Sequence, residues 1–374
     1  MKIAIFTDSF FPTLGGTERA VLGLANELLA QNHEVAVFCP NHPDAANFRF
    51  DFPVYRCPSV GLTANDRMAL PRFSRKFQKQ IMAFKPDIIH CQSVSGIANA
   101  GIRYGVKNNA PVVFTVHTKF RQALMGSIKI KFIVDLYVRI IAKRINKANV
   151  VCTVSHDMVE ELKKYGVKKP VSVVRNGMMF NREILSEETK NIAIKKYNIS
   201  SKDVVLLFVG RIVKVKNIDL IFDALKTLNN PGCKMIFAGD GPDLAYFKAL
   251  AEKQMLSNVI FAGKVSEDEL KSLYYNADLF VFPSVFDNDP LVVTEAAIFE
   301  TPAITLAGTG SAERITNGQD GFIASSPEDF KILLSKLCSQ KELLKPVGMA
   351  AAQSIPKTWA QAAEEYLNVY KKLL

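Results

Sequence analysis

Near-continuous runs of Val, Ile, Leu and Phe, a few residues long, recur along this chain, each followed by a longer segment with helical spacing. The first half carries K-I-A-I-F-T, H-E-V-A-V-F, V-Y-R-C, D-I-I-H-C, V-V-F-T-V-H, N-V-V-C-T-V and V-S-V-V. The second half carries D-V-V-L-L-F-V-G, K-M-I-F-A-G, V-I-F-A-G, L-F-V-F-P and A-I-T-L-A. A strand with apolar residues at successive rather than alternate positions has to be covered on both faces. That is the condition of a parallel sheet wrapped by helices. At 374 residues the chain is too long for one typical core. The expectation is an α/β protein of two doubly wound, Rossmann-like domains, with ligand sites at the carboxyl ends of the strands, facing each other across a cleft.

The boundary is expected after Asn176-Gly177, where the polar stretch 181–190 reads as a connector. This gives a first domain at 1–177 and a second at 178–355. The amphipathic tail at 356–374 is expected to form a helix packing back on the first domain.

Composition narrows the setting. Ile3 to Phe6 is too short for a signal-peptide core, and no apolar run approaches the roughly 20 residues of a membrane span. A cytoplasmic protein is expected. The six cysteines show no C-x-x-C or Cys/His zinc spacing and read as buried, reduced thiols. The net charge of +11 is lopsided: residues 1–180 hold 25 Lys/Arg against 12 Asp/Glu, and residues 181–374 hold 22 against 24. A first half at +13 suggests an acidic partner such as an anionic membrane, a nucleic acid or a phosphorylated ligand.

Polar residues with chemical potential sit where strands end. Gly15-Gly16 follow the first strand and precede a helix expected near Thr17, so backbone amides there can approach a phosphate or a sugar. The G-x-G-x-x-G dinucleotide fingerprint is missing from this position. V-G-R-I-V-K-V-K-N leaves the first strand of the second half with Arg211 and Lys216, a fork of donors and a point charge suited to a diphosphate. The next two strands open into F-A-G-D-G-P-D, with Gly239, Gly241 and Pro242, and F-A-G-K-V, with Gly263, Lys264 and Val265. Three such loops on one sheet edge favour a nucleotide-sized ligand. His117 ends the central strand of the first half, where an imidazole can polarise a reacting group. Each feature alone has an ordinary alternative: a tight turn, a solvated cation, a packed histidine. Asp287-Asn288-Asp289 raises a separate question, whether an Asp-x-Asp after a strand holds a metal or whether Asp287 pairs functionally with Glu295.

In order and spacing, G-G, H-T, V-x-N-G, V-G-R-x-x-x-x-K-N, G-x-G-P, F-x-G-x-V, A-D-x-x-V-F-P-S, E-A, G-S-A-E and G-F together resemble the retaining family 4 glycosyltransferases of the two-domain GT-B fold. The resemblance runs nearly the whole chain. It implies a hexosyltransferase using a nucleotide sugar, with Gly15 and Gly16 bordering the donor diphosphate and Arg211 and Lys216 binding it. It maps the family's Glu-x7-Glu onto Asp287, beside the transferred sugar, and Glu295, on the ribose hydroxyls, with His117 also near the sugar. Gly239, Gly241, Pro242, Gly263, Lys264, Val265 and the amides of Leu291 and Val292 complete the implied donor site. With cations for the diphosphate, no metal and no other cofactor is implied. The sequence departs from the pattern at Asp287, one methylene shorter than Glu, and at Asp289-Pro290, which replace an aromatic and a glycine. Proline has no N–H to offer a sugar hydroxyl, so the identity of the hexose stays open.

Residues 72–84 space Phe73, Phe77, Ile81 and Phe84 at helical intervals among Arg72, Arg75, Lys76 and Lys79. Residues 119–147 carry eight basic side chains against Asp135 alone, with Ile128, Phe132, Leu136 and Ile140 at steps of four. The apolar stripes themselves are expected to be core faces. Basic amphipathic helices of this kind also suit an anionic bilayer, and H-T followed by this basic segment, together with D-N-D-P-L-V-V-x-E-A-A, looks most like bacterial diacylglycerol glucosyltransferases and related lipid glycosyltransferases. The expectation is a peripheral enzyme at the inner face of the cell membrane, moving a hexose, glucose first, from a UDP-sugar to a lipid such as 1,2-diacylglycerol. The alternatives are the same donor with a soluble acceptor, or a nucleotide-sugar binder without catalysis. No recognisable nucleic-acid module is present.

Overall fold

The computed structural model describes residues 1–13, 15–61, 67–128, 130–178, 184–228 and 232–374, which divide into two compact units. One comprises Met1–Gly177 with Lys357–Leu374, the other Met178–Pro356.

In the first unit, β1 (Lys2–Phe6), β2 (Glu34–Pro40) and β3 (Val54–Cys57) are followed by a small antiparallel ribbon, β4 (Ser59–Gly61) and β5 (Arg67–Ala69). Then come β6 (Ile88–Cys91), β7 (Val112–Val116), β8 (Val150–Thr153) and β9 (Val171–Val173). The main sheet is parallel throughout, in the order β3-β2-β1-β6-β7-β8-β9. These are the seven apolar runs of the first half. Both faces are buried, as successive apolar residues require: Ala4 and Phe6 enter one core, Ile3 and Ile5 the other. The helices are α1 (Gly16–Ala30), α2 (Arg75–Phe84), α3 (Gly96–Asn108), α4 (Phe120–Ser127), α5 (Lys131–Ile145) and α6 (His156–Tyr165).

The second unit begins with α7 (Glu187–Tyr197) and continues through β10 (Val204–Val209), α8 (Ile218–Thr227), β11 (Cys233–Ala238), α9 (Leu244–Lys253), β12 (Val259–Gly263) and α10 (Glu267–Asn276). It ends with β13 (Leu279–Val281), α11 (Leu291–Ile298), β14 (Ala303–Leu306), β15 (Phe322–Ala324), α12 (Pro327–Ser339) and α13 (Leu344–Ser354). Its sheet, also parallel, runs β12-β11-β10-β13-β14-β15. The expected connector is shorter than its polarity suggests. Ser186 caps α7 by accepting from the Thr189 amide, so 187–190 form the first helical turn. Residues 181–183 lie outside the described residues.

The tail forms α14 (Trp359–Lys371), opened by a capping box between Thr358 and Gln361. It belongs to the first unit, where Ala363, Tyr366, Leu367 and Tyr370 join the core of Ile3, Ile5, Val21 and Leu24. Trp359 leaves no room for a β-carbon at Gly23 or Gly177.

The apolar stripe of α5 does not face the core as expected. Val134, Val138, Ile141, Ala142 and Ile145 are buried, while Phe132, Leu136 and Ile140 are exposed at 75%, 50% and 39%. On α2 the core face is Phe77 and Ile81, and Phe73 just before it is exposed. All six cysteines are buried, and none is in a disulfide. Among the described residues, no helix is long and apolar enough to cross a membrane.

Glycine is required where the second sheet's loops cross. Gly239 has φ +141°, and a β-carbon there would lie 1.9 Å from the Gly210 carbonyl oxygen. Gly263 also has positive φ, +70°, but open space where its β-carbon would go. Gly239→Ala is expected to cost about 3 kcal/mol or more, because the backbones must separate. Gly263→Ala should cost only about 1 kcal/mol of left-handed strain. Urea-unfolding midpoints of the two variants measure the difference.

Candidate functional site

In the second unit, the carboxyl ends of β10, β11 and β12 are tied into one surface by backbone hydrogen bonds. Gly210 donates to Ala238 at 3.0 Å, Ile212 to Asp240 at 3.0 Å and Gly239 to Gly263 at 2.8 Å. A β-carbon at Gly241 would in turn lie 2.2 Å from the Ile212 carbonyl oxygen. Ile212 is buried and anchors the segment, which leaves Arg211 exposed beside it. Pro242 is exposed in the turn before α9, and Val265 packs half-buried against the core. Lys264 is largely exposed, 3.9 Å from Asp240, a surface pairing of little energetic weight.

Lys216 ends a short 3-10 turn, followed by Asn217 in the left-handed region. Its ammonium donates to both carboxylate oxygens of Asp287 at 2.5 Å, while the Ser284 hydroxyl donates to Asp287 Oδ2 at 2.6 Å. The two residues singled out separately in the sequence thus form one ion pair, and an anion arriving at Lys216 has to share it with Asp287. Asp289 serves a different purpose. The Arg314 guanidinium grips it bidentately, Nε to Oδ1 at 2.5 Å and Nη2 to Oδ2 at 2.8 Å, with side chains only 3% and 1% exposed. Of the acids in Asp-Asn-Asp, one meets the lysine and the other is locked in the interior. Among the described residues, no group of three or more His, Cys, Asp or Glu side chains is arranged to hold a metal ion.

Pro290 precedes α11 with φ −69°, an ordinary value for its ring. Leu291 and Val292 are the first two residues of that helix, so their amides have no carbonyl one turn earlier to meet. Glu295, one turn on, is buried, and its Oε2 accepts from the Tyr274 hydroxyl at 2.8 Å.

In the first unit, the carboxyl ends of β1, β6 and β7 surround a cavity of about 230 Å³ lined by Asp8, Glu18, Gln92, Thr115, His117 and Thr118, among others. His117 Nε2 lies 2.5 Å from Gln92 Oε1. Asp8 accepts from the amide of Ser95 at 2.9 Å and from its hydroxyl. Glu18 stands in the first turn of α1, where the helix dipole favours its charge, and accepts from the Ser9 hydroxyl. Carboxylates and an imidazole around one cavity can bind and orient hydroxyl groups. Gly15 is extended and Gly16 opens α1, so this pair brings Thr17 and Glu18 to the cavity rather than lining it.

Behind the cavity the polar contacts continue into the core. His90 is fully buried, with the Tyr370 hydroxyl 2.6 Å from Nδ1 and Thr115 Oγ1 2.7 Å from Nε2. Burial pushes its pKa from 6.5 down to about 3, with the neighbouring His117 charge adding to the effect.

Asp8, Glu18, Gln92 and Arg314 were missed by sequence reasoning. Asp8 and Glu18 flank the quoted G-G stretch and share its strand-end position. Gln92 and Arg314 carry no local signal, since their partners lie 25 residues away in sequence.

Arg314→Ala strands the Asp289 carboxylate and should cost about 3–5 kcal/mol, whereas a double replacement by apolar residues should recover much of that loss. A double-mutant cycle in urea measures this coupling. Native His90 refuses the proton that the unfolded chain takes up near 6.5. Stability is therefore unaffected above that pH and falls as the pH drops from 6.5 toward about 3, by at most about 1.4 kcal/mol per pH unit. Urea midpoints followed against pH should show a flatter acid limb in His90→Gln.

Two family models match, end to end: glycosyltransferase family 4 over residues 14–181 and glycosyl transferases group 1 over residues 189–354. The alpha-monoglucosyldiacylglycerol synthase of Streptococcus pneumoniae is 28% identical over 315 residues, 81% of this chain and 70% of that protein. The enzyme of the same name from Acholeplasma laidlawii is 23% identical over 358 residues, 92% of this chain and 90% of that one. Among solved structures, Anabaena HepE in complex with UDP superposes over the whole of both chains with a TM-score of 0.80 at 16% identity, which bears on the fold. With both halves matched in order and both sheets doubly wound, the chain belongs to the family 4 glycosyltransferases of GT-B fold and is a glycosyl-transferring enzyme.

Proposed function

We propose that this glycosyltransferase moves a hexose, glucose first, from a UDP-sugar to a membrane lipid such as 1,2-diacylglycerol, with retention at the anomeric carbon. The observation that carries the acceptor class is the second apolar face of α5. A helix apolar on both sides is normally buried on both, yet Phe132, Leu136 and Ile140 are exposed. Lys131, Arg139 and Lys143 of the same helix are exposed as well. Apolar side chains that enter the acyl boundary, flanked by cations that meet anionic headgroups, are the requirements of an interfacial helix. Lys129, counted with this basic segment, lies outside the described residues. The two diacylglycerol-modifying relatives support the same acceptor class.

For the donor, a relative of the same fold is solved with UDP. Arg211 and Lys216 would meet the diphosphate, countering charge on the leaving group without a metal or other cofactor. The loop glycines Gly239, Gly241 and Gly263 and the amides of Leu291 and Val292 would surround the nucleotide sugar, with Asp287 beside the sugar and Glu295 toward the ribose. His117, Asp8 and Glu18 would receive hydroxyl groups in the cavity of the first unit. The enzyme would then work as a peripheral protein at the inner face of the cell membrane.

The test is transfer from radiolabelled UDP-glucose and UDP-galactose to liposomes containing diacylglycerol and an anionic phospholipid. Labelled glycolipid is expected, and none from any nucleotide sugar refutes the reading. Arg211→Ala should lower turnover by about 10²–10³ with little loss of stability, since its side chain is exposed. Phe132→Glu with Leu136→Glu should abolish co-sedimentation with anionic liposomes while leaving the thermal midpoint within about 2 °C. A wild-type protein that stays in the supernatant would point instead to a soluble acceptor.

A further inference from the structure

We infer that the first unit holds a second ligand site, a cavity between the ends of α5 and α6 that takes a phosphate group carried by an ester. Arg139 and Lys143 of α5 line it together with Lys168 and Lys169, which follow α6. α5 runs into β8 and α6 into β9, so this cavity lies at the amino edge of the sheet, opposite the edge that presents His117. Its volume is about 560 Å³. Small-molecule sites span roughly 300–1,000 Å³, so there is room for the organic part of an ester beside the phosphate. The Asn146 side chain donates to the Gly166 carbonyl at 2.9 Å and accepts from the Lys168 amide at 2.8 Å. These bonds fasten the segment that carries Lys168 and Lys169 to the end of α5.

Charge points to the kind of ligand. No acidic residue lines the cavity, and among the described residues no carboxylate pairs with Arg139, Lys143, Lys168 or Lys169. The acids nearest in sequence are engaged elsewhere. Arg121 holds Asp135 at 2.9 Å, while Lys163 and Lys164 hold Glu160 and Glu161 at 2.7 and 2.8 Å. Like charges around one cavity repel, and an anion between them relieves the repulsion. Helix dipoles favour cations only within the last turn. That accounts for Lys143, but Arg139 stands earlier in α5. Lys168 and Lys169 lie past the end of α6, whose own last-turn cations are Lys163 and Lys164. A phosphate ester matches this set: the guanidinium fork meets two of its oxygens, and the lysines add point charges. Leu136 and Ile140, exposed on α5, neighbour Arg139 and Lys143 at helical i, i+3 spacing. The same phosphate chemistry therefore reaches the cavity either on a phospholipid headgroup, its chains against that stripe, or on a soluble ester.

The site does not depend on the glycosyl-transfer reading, and binding rather than transfer tests it. The soluble probes are inorganic phosphate and glycerol 3-phosphate, titrated calorimetrically at fixed ionic strength. The membrane probes are phosphatidylcholine vesicles with and without phosphatidylglycerol, followed by co-sedimentation. Lys168→Gln with Lys169→Gln removes two cavity cations and leaves α5 untouched. Lys163→Gln with Lys164→Gln removes the same charge from α6 outside the cavity. None of these four lysines is buried, so both double variants are expected to fold, which their thermal midpoints check. Saturable one-to-one binding of glycerol 3-phosphate is expected, weakened about thirtyfold in the cavity variant and by about twofold at most in the control. That result makes a soluble ester sufficient. If neither soluble probe binds, but phosphatidylglycerol vesicles retain the wild type and the control and release the cavity variant, the phosphate is that of a lipid headgroup. Equal weakening in both variants reports net charge alone and overturns the site. Binding to none of the probes, or binding that the cavity variant keeps intact, overturns it as well.

Discussion

Parallel pairing is the constraint on which the rest of this molecule depends. When every strand of a sheet runs the same way, all the carboxyl ends reach one edge, and the loops leaving that edge are gathered side by side. In the first unit β1, β6 and β7 deliver Asp8, Gln92 and His117 to one cavity. In the second, β10, β11 and β12 deliver Arg211, Gly239 and Gly263 to one surface. Neither arrangement needs special local chemistry. Burying both faces of each strand is sufficient to gather these residues.

The same constraint explains what was legible in the sequence. Seven apolar runs of the first half and five of the second became the seven strands of one sheet and five of the six in the other. The exception, β15 (Phe322–Ala324), is hemmed in by Asp320-Gly321 and Ser325-Ser326, whereas β13, equally short, lies in the longer apolar run L-F-V-F. The ribbon of β4 and β5, S-V-G and R-M-A, contains no apolar run at all. Orientation of α5 was not legible. Its apolar residues occupy two faces, and periodicity reports that a stripe exists without reporting which stripe meets the sheet. Packing chose Val134, Val138 and Ile141, and left Phe132, Leu136 and Ile140 outside.

The cluster Asp287-Asn288-Asp289 shows a second limit. Composition and spacing present two equivalent carboxylates, yet Asp287 faces Lys216 and Ser284 while Asp289 is clasped by Arg314. Adjacent acids acquire different roles from partners 71 and 25 residues away in sequence. A buried bidentate pair is poor evidence of stabilisation, because desolvating two charges offsets much of their attraction. It does fix geometry. With Arg314 also donating to the Ile355 carbonyl at 3.3 Å, the turn that carries Asp289 and Pro290 into α11 is held against the end of the unit. The start of α11, with the amides of Leu291 and Val292, is held with it.

The tail helix joins packing to polar chemistry in a way that amphipathic spacing only half reveals. Ala363, Tyr366, Leu367 and Tyr370 are the apolar face a helix needs in order to cover Ile3, Ile5 and Val113. Two of those four are tyrosines, and burying a hydroxyl without a partner is costly. Phenylalanine would fill the same space without that cost. The hydroxyls are matched by His90 and Thr115, which sit on strands that continue into the cavity residues Gln92 and His117. A core built for stability alone has no need of this line of polar groups. Its position places the C-terminal helix against the strands that carry the cavity, so the helix contributes polar contacts as well as apolar cover.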